Sequence, residues 1–305
     1  MSLDLTMTTA QKNIRAAFEE AGVEGFLFAR DIDGSRTIGV APDELVCLAS
    51  VFKIPVALGY AREAAAGRLE RTERHSVEQR YRDGGIGTSG CADPVEMSLR
   101  DLVHMMLTMS DNAATDVVLE RVGLDTVNAL LAELGRNRTH LIGGCLELTG
   151  SLLADLGATT EAEAIQRMAE LAAQGPEKLM ELSICVPERT TRSTARDTAE
   201  LLAQIWRDEA GPAEACAEVR TVMSHQIWPH RLSSAFDDSY RVSAKTGTLP
   251  GWRNEAGVVE DTDGGRFAVA VFTRARIADL RNPAADRVIG TAARLAVDEL
   301  RSPTV

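Results

Sequence analysis

Three short stretches of this 305-residue chain carry hydroxyl, amine and amide side chains that could act as nucleophile, base or hydrogen-bond donor. In the first, Ser50-Val51-Phe52-Lys53, the serine and lysine are three residues apart where a run to about Arg68 reads as a helix. Both would therefore share a face of its first turn. Ser50 would sit at the positive end of the helix dipole, where backbone N–H groups have no partner inside the helix and can face a developing negative charge. Pro55 should distort that turn without ending the helix. A Ser-x-x-Lys match arises by chance about once in a chain of this length. The composition adds weight: of thirty-three basic residues only Lys12, Lys53, Lys178 and Lys245 are lysines. Arginine cannot surrender its proton in a protein, whereas a desolvated lysine can be neutral and act as a base.

The second stretch, Ser110-Asp111-Asn112, separates two helical runs, and its residue types are also the ones preferred at helix N-caps. The third, Lys245-Thr246-Gly247-Thr248, ends a strand-like run, where a lysine can equally serve to blunt a sheet edge. Ser-x-x-Lys, Ser-Asp-Asn and Lys-Thr-Gly in this order are far more specific than any one of them. On these motifs the chain resembles the penicillin-recognising serine hydrolases, and within them the class A β-lactamases.

The resemblance implies a role for each motif residue. Ser50 would be the nucleophile and neutral Lys53 the base that takes its proton. Ser110 would pass a proton to the leaving nitrogen, with Lys245 supplying positive potential to that relay and to a substrate carboxylate. The backbone N–H groups of Ser50 and Thr248 would form an oxyanion hole, worth roughly 3–4 kcal/mol per donor. Asn112 would hold the substrate's side-chain amide. Thr246, Gly247 and Thr248 would form the binding strand, the two threonines bonding the carboxylate. Arg231, fourteen residues before Lys245, is a candidate for the same carboxylate, with a surface salt bridge as the alternative. The run from Gly84 to Gly90 would be a flexible rim of the cleft, while Trp252 reads as core.

The chain also departs from that family. Class A enzymes release their acyl group with a glutamate in an E-x-x-L-N stretch, and no such stretch occurs here. Counting without gaps brings the family's glutamate position to Cys145. Glu147, two residues on, is a displaced candidate whose ordinary reading is a solvent-facing carboxylate. About thirty-five residues, Gly150 to Leu182, read as additional helix. The expected function is therefore a serine hydrolase working through a Ser50 acyl-enzyme, foremost on β-lactam amides, with its deacylation base unassigned. The alternatives are an esterase or D-Ala-D-Ala peptidase-like hydrolase, or a sensing protein that penicillin acylates and leaves acylated.

The elements that must position these residues follow from hydrophobic period. Residues 9–22 read as a helix and 25–40 as a hairpin turning at Asp33-Gly34. Helices are expected at 99–109, 113–121, 124–134, 161–174 and 195–206, strands at 240–246, 253–260 and 266–274, and a closing helix at 285–301. The expectation is an α/β (α+β) domain: an antiparallel sheet built from N- and C-terminal strands, flanked by helices, with an inserted helical lobe. One domain would span 1–305, its α/β lobe about 1–62 and 209–305 and its helical lobe about 63–208, with the site between them.

The net charge of −12 and pI near 5.0 argue against nucleic-acid or anionic-membrane surfaces. No apolar run is long enough to span a bilayer, and no export signal is visible. The cysteines Cys47, Cys91, Cys145, Cys185 and Cys216 are odd in number and scattered, which favours a reduced, cytoplasmic setting. No metal and no cofactor are expected, and the chain would act as a monomer on a small-molecule acyl substrate.

Overall fold

The computed structural model describes residues 7–82, 85–276 and 281–302. In chain order its regular elements are α1 (Thr9–Glu20), β1 (Val23–Asp31), β2 (Thr37–Val40), β3 (Val46–Cys47), α2 (Lys53–Ala65), β4 (Arg74–Val77), β5 (Val95–Ser98), α3 (Leu99–Thr108), α4 (Asn112–Val122), α5 (Leu124–Glu133), α6 (Cys145–Leu156), α7 (Glu161–Gln174), β6 (Arg192–Ser193), α8 (Ala195–Trp206), α9 (Ala213–Met223), β7 (Tyr240–Leu249), β8 (Trp252–Asp261), β9 (Arg266–Ala275) and α10 (Pro283–Arg301).

The expected sheet is built from both ends of the chain. Five antiparallel strands run in the order β2-β1-β9-β8-β7. Both faces are buried, and the period of two divides each strand between them. Leu27 and Ala29 of β1 and Val269 and Val271 of β9 point to one side, where they join Ile14 and Phe18 of α1 and Val288, Ile289 and Val297 of α10. Phe26, Phe28, Ala270 and Phe272 point to the other, onto α2, α8 and the helical part. The N-terminal hairpin turns at Asp33-Gly34 as expected, where the Asp31 side chain accepts from Asp33 N and Gly34 N, both at 3.0 Å, closing the turn locally.

Helix α2 runs through the middle. It is apolar on all sides, and Ile54 through Ala61 are all buried. Gly59 permits the close approach of its neighbours, since a Cβ there would lie 3.0 Å from Val122 Cγ1. Pro55 falls in the first turn, where its missing N–H has no helical acceptor to lose, so the helix continues. The additional helical segment starts earlier than the expected Gly150, with α6 beginning at Cys145. The short pairs β3–β6 and β4–β5, and helix α9, were not among the sequence expectations. Two-residue strands carry no periodic signal, and His75 and Ser76 alternate too weakly to supply one.

Candidate active site

Ser50 lies in a 3-10 turn, Ala49–Phe52, that runs directly into α2. Ala49 is held at φ +48°, a left-handed conformation that disfavours any residue with a Cβ. Lys53, the first residue of α2, is fully buried. Its Nζ donates to the Ser110 carbonyl at 2.7 Å and to Asn112 Oδ1 at 2.8 Å, with Ser110 Oγ at 3.2 Å. Burial holds this amine below the usual lysine range. A neutral amine has two hydrogens, which the two short bonds use. Its lone pair is left for a hydroxyl proton.

Ser110 is likewise held at a positive φ, +69°. Asp111 caps α4 by accepting from Ala114 N at 3.0 Å, so the ordinary N-cap reading of this motif applies to its middle residue. The same fully buried carboxylate accepts from Thr88 N at 2.6 Å and Ser89 Oγ at 3.2 Å. Gly87, at φ +76°, passes so close that a Cβ would lie 2.4 Å from Asp111 Oδ2. The expected flexible rim is therefore anchored over 87–90, with Thr88 and Ser89 buried beneath it. Gly84 lies outside the described residues.

β7 brings in the third motif. Lys245 is fully buried and donates to the Thr246 carbonyl at 2.9 Å. Burial, and after it the charge of Lys53, hold its amine well below the usual range. Gly247 lets the strand press against the nucleophile turn, since a Cβ there would meet Leu48 O at 2.7 Å. Opposite Thr246 in register stands Glu255, a carboxylate with no exposure. It accepts from Gln226 Nε2 at 2.6 Å and from Leu232 N, while Gln226 Oε1 accepts from Thr246 N at 2.9 Å. Burial pushes the Glu255 carboxyl up.

Arg231 lines a pocket that opens on Ser50 and is ion-paired with Asp286 from within the fold. It is 4% exposed, so it forms no surface ion pair. Its Nε binds Asp286 at 2.7 Å, Nη1 binds the Gly247 and Asn254 carbonyls at 2.8 and 2.9 Å, and Nη2 binds Thr248 Oγ1 at 2.8 Å. The guanidinium clamps β7 to β8 and orients the Thr248 hydroxyl. Trp252 is core, as expected, stacked on Phe26 and donating to the Cys185 carbonyl at 3.1 Å.

The end of α6 completes the site. Cys145 is buried, and its Sγ donates to Asn112 Oδ1 at 3.3 Å, on the same oxygen that Lys53 binds. Its backbone N–H and that of Leu146 donate to Asp116 at 2.6 and 3.1 Å. Burial pushes the Asp116 carboxyl up to about 7. Glu147 is exposed and turns back to Gly144 N at 2.8 Å, which is a capping role. Sequence reasoning missed Asp116, Gln226 and Glu255 altogether. Each is a polar residue in an ordinary helical, loop or strand context, and its partners come from other elements.

Two pockets open on Ser50, and Asn112 and Thr248 line both. One, about 370 Å³, carries Ser110, Trp228, Arg231 and Thr246. The other, about 350 Å³, carries Cys145 and a largely aliphatic wall from α6, α7 and the end of β7. Among the described residues neither wall contains an aspartate or a glutamate.

The chain is similar in sequence and in fold to known proteins. A curated relative, the β-lactamase regulatory protein BlaB of Streptomyces cacaoi, is 28% identical over 95% of this chain and 97% of its own. The crystal structure of a β-lactamase from Sphaerobacter thermophilus superposes with TM-score 0.76 at 25% identity, covering 97% of this chain and 99% of that one. The structure of PBP-A superposes with the same TM-score of 0.76 at 18% identity, covering 96% of each chain. The profile of the β-lactamase enzyme family matches residues 9–300, and the chain belongs to that family.

Proposed function

We propose that Ser50 is the acylated residue of a penicillin-reactive protein whose acyl-enzyme forms readily and is released slowly. Supporting the first half, Ser50 and Ser110 line one pocket, and Lys53, buried and held toward the neutral form, donates to the Ser110 carbonyl. Attack by Ser50 Oγ on a lactam carbonyl forms the C–O bond, and its proton passes to Lys53. Cleavage of the C–N bond then takes a proton delivered through Ser110. The N–H groups of Ser50 and Thr248 would receive the developing oxyanion.

One observation carries the second half: the side chain on Asn112 beside Lys53 at the start of α6 is the Cys145 thiol, and no carboxylate lines either pocket among the described residues. A thiol there donates to the Asn112 amide and offers water a weak base. The regulatory name of the Streptomyces cacaoi relative fits a protein that reports acylation and does not turn over quickly. Efficient β-lactam hydrolysis, the foremost expectation from sequence, would need Lys53 itself to serve the second step.

Intact-protein mass after mixing with benzylpenicillin tests both halves. The expected result is a single adduct on wild type, absent in Ser50→Ala, that outlasts its formation by orders of magnitude. Return to the free mass within one mixing time, with steady nitrocefin turnover, would replace this reading with an efficient hydrolase. A well-folded protein that takes no adduct from any β-lactam would remove it.

A further inference from the structure

The aliphatic pocket beside Ser50 is a product of the additional helical segment. Leu148 and Leu152, one turn apart on α6, face it together with Met168 of α7, Ile184, Leu249 and Pro250. Helix α6 is apolar over most of its length, yet Cys145 is its one buried residue among the described ones, so its leucines are only partly covered. A helix with this composition normally buries its apolar face fully. Here part of that face borders open space that leads to the nucleophile. Of the charged residues described, only Arg253 lines the pocket, and its Nη1 is directed at the Leu249 and Trp252 carbonyls at 3.2 and 3.0 Å.

The two pockets differ in a way that assigns their occupants. Ser110, which would hand a proton to the leaving group, lines the polar pocket, as do Thr246 and Arg231. The leaving side of a substrate therefore belongs there. What remains for the aliphatic pocket is the acyl side of the same carbonyl. We propose that α6 and α7 give Ser50 an apolar acyl subsite, so that the preferred acyl donor carries an aliphatic or compact apolar group on the acyl side of the carbonyl attacked. This rests on Ser50 being the residue acylated. The step balances without a further reagent: the Ser50 Oγ–C bond forms, the bond from carbonyl carbon to the leaving oxygen or nitrogen breaks, and the serine proton goes to the leaving atom.

The test uses p-nitrophenyl acetate, butyrate and octanoate, reading p-nitrophenolate release in the first turnover and adduct mass on Ser50. The expected second-order rate constant rises from acetate to octanoate by about tenfold or more. In Leu152→Trp, and separately in Met168→Trp from the facing helix, the octanoate-to-acetate ratio should fall by about tenfold. A ratio near one in wild type, or one that survives both substitutions, overturns the subsite while leaving Ser50 acylation standing. A parallel pair, 6-aminopenicillanic acid against benzylpenicillin, identifies the source of the group. A gain in both series supports the subsite as one that also takes the β-lactam side chain, and a gain confined to the esters supports it as one for aliphatic esters.

A non-covalent arm separates the subsite from the chemistry. Ser50→Ala titrated calorimetrically with the octanoate and acetate esters should bind the octanoate alone, and Ser50→Ala/Leu152→Trp should lose that binding. Such binding without any Ser50 acylation in wild type would keep the subsite and remove the acylation reading. Equal heats for both esters would count against the subsite.

Discussion

Replacing Cys145 by glutamate should convert slow release of the acyl group into turnover. Cys145 is the first residue of α6, its backbone N–H is fixed on Asp116 at 2.6 Å, and its side chain reaches Asn112 next to Lys53. The adjoining pocket of about 350 Å³ has room for the methylene and carboxylate that glutamate carries beyond Cβ. A carboxylate in the first turn of a helix gains about 0.3–1 kcal/mol from the dipole. Against this, Asp116 is already pushed up to about 7 by burial, so a second acid nearby will favour the protonated form of one of them. A positioned general base contributes roughly 10²–10⁴ in rate, which is about 3–5 kcal/mol of barrier.

The assay is the decay of the benzylpenicillin adduct by intact mass after removal of excess drug, for wild type, Cys145→Glu and Cys145→Gln. The glutamine variant has the same shape without the base. Cys145→Glu is expected to shed the adduct at least about a hundredfold faster than Cys145→Gln, while the two acylate at similar rates. Equal decay of the two adducts, in proteins with wild-type melting temperatures, would refute the idea that the thiol marks the missing base.

Other outcomes follow from the same geometry. Lys53→Arg should lower the acylation rate by about 10²–10⁴, because a guanidinium cannot accept the serine proton; stopped-flow acylation by nitrocefin measures it. In wild type the acylation rate should rise with pH through an ionisation below the usual lysine value of 10.5, because burial favours the neutral amine; a flat profile over the accessible range would contradict that direction. Asp116 keeps its proton in the folded chain up to about pH 7 and loses it near 3.8 when unfolded, so stability should fall as pH rises between these values, by about 4 kcal/mol at most. Urea unfolding of Asp116→Asn should show that slope removed. Arg231→Ala would leave Asp286 and the Gly247 and Asn254 carbonyls without their buried donor, a loss of about 3–5 kcal/mol that thermal unfolding would register as a clear fall in melting temperature.

The motif residues were legible because each motif is contiguous and its side chains need only a helix start or a strand to converge. The sheet was legible for a similar reason, since the runs around Phe26 and Val269 are long and dense in strand-forming residues. What the sequence hid depends on contacts between distant elements. Glu255 looks like the polar position of a half-exposed strand, and only the approach of Gln226 and Leu232 encloses it. Arg231 reads as an available cation until Asp286 of α10 is folded against it. Asp116 sits in an ordinary helical run, and its burial is decided by the backbone of Cys145 and Leu146 thirty residues away. Cys145 itself was reached by counting, but the neighbours that give its thiol meaning lie on α4.

The shared acceptor on Asn112 has a further consequence. Lys53 Nζ and Cys145 Sγ both give hydrogens to Oδ1, so the amide cannot flip without turning its NH₂ group onto two donors. The side chain is locked in polarity, and it presents hydrogens to whatever lies across the cleft. It can read a carbonyl there and will reject an ammonium or an amide N–H, which has only a hydrogen to offer. A glutamate at 145 would be an acceptor in place of a donor, so the substitution that supplies a base would also loosen this filter, and selectivity and turnover should change together.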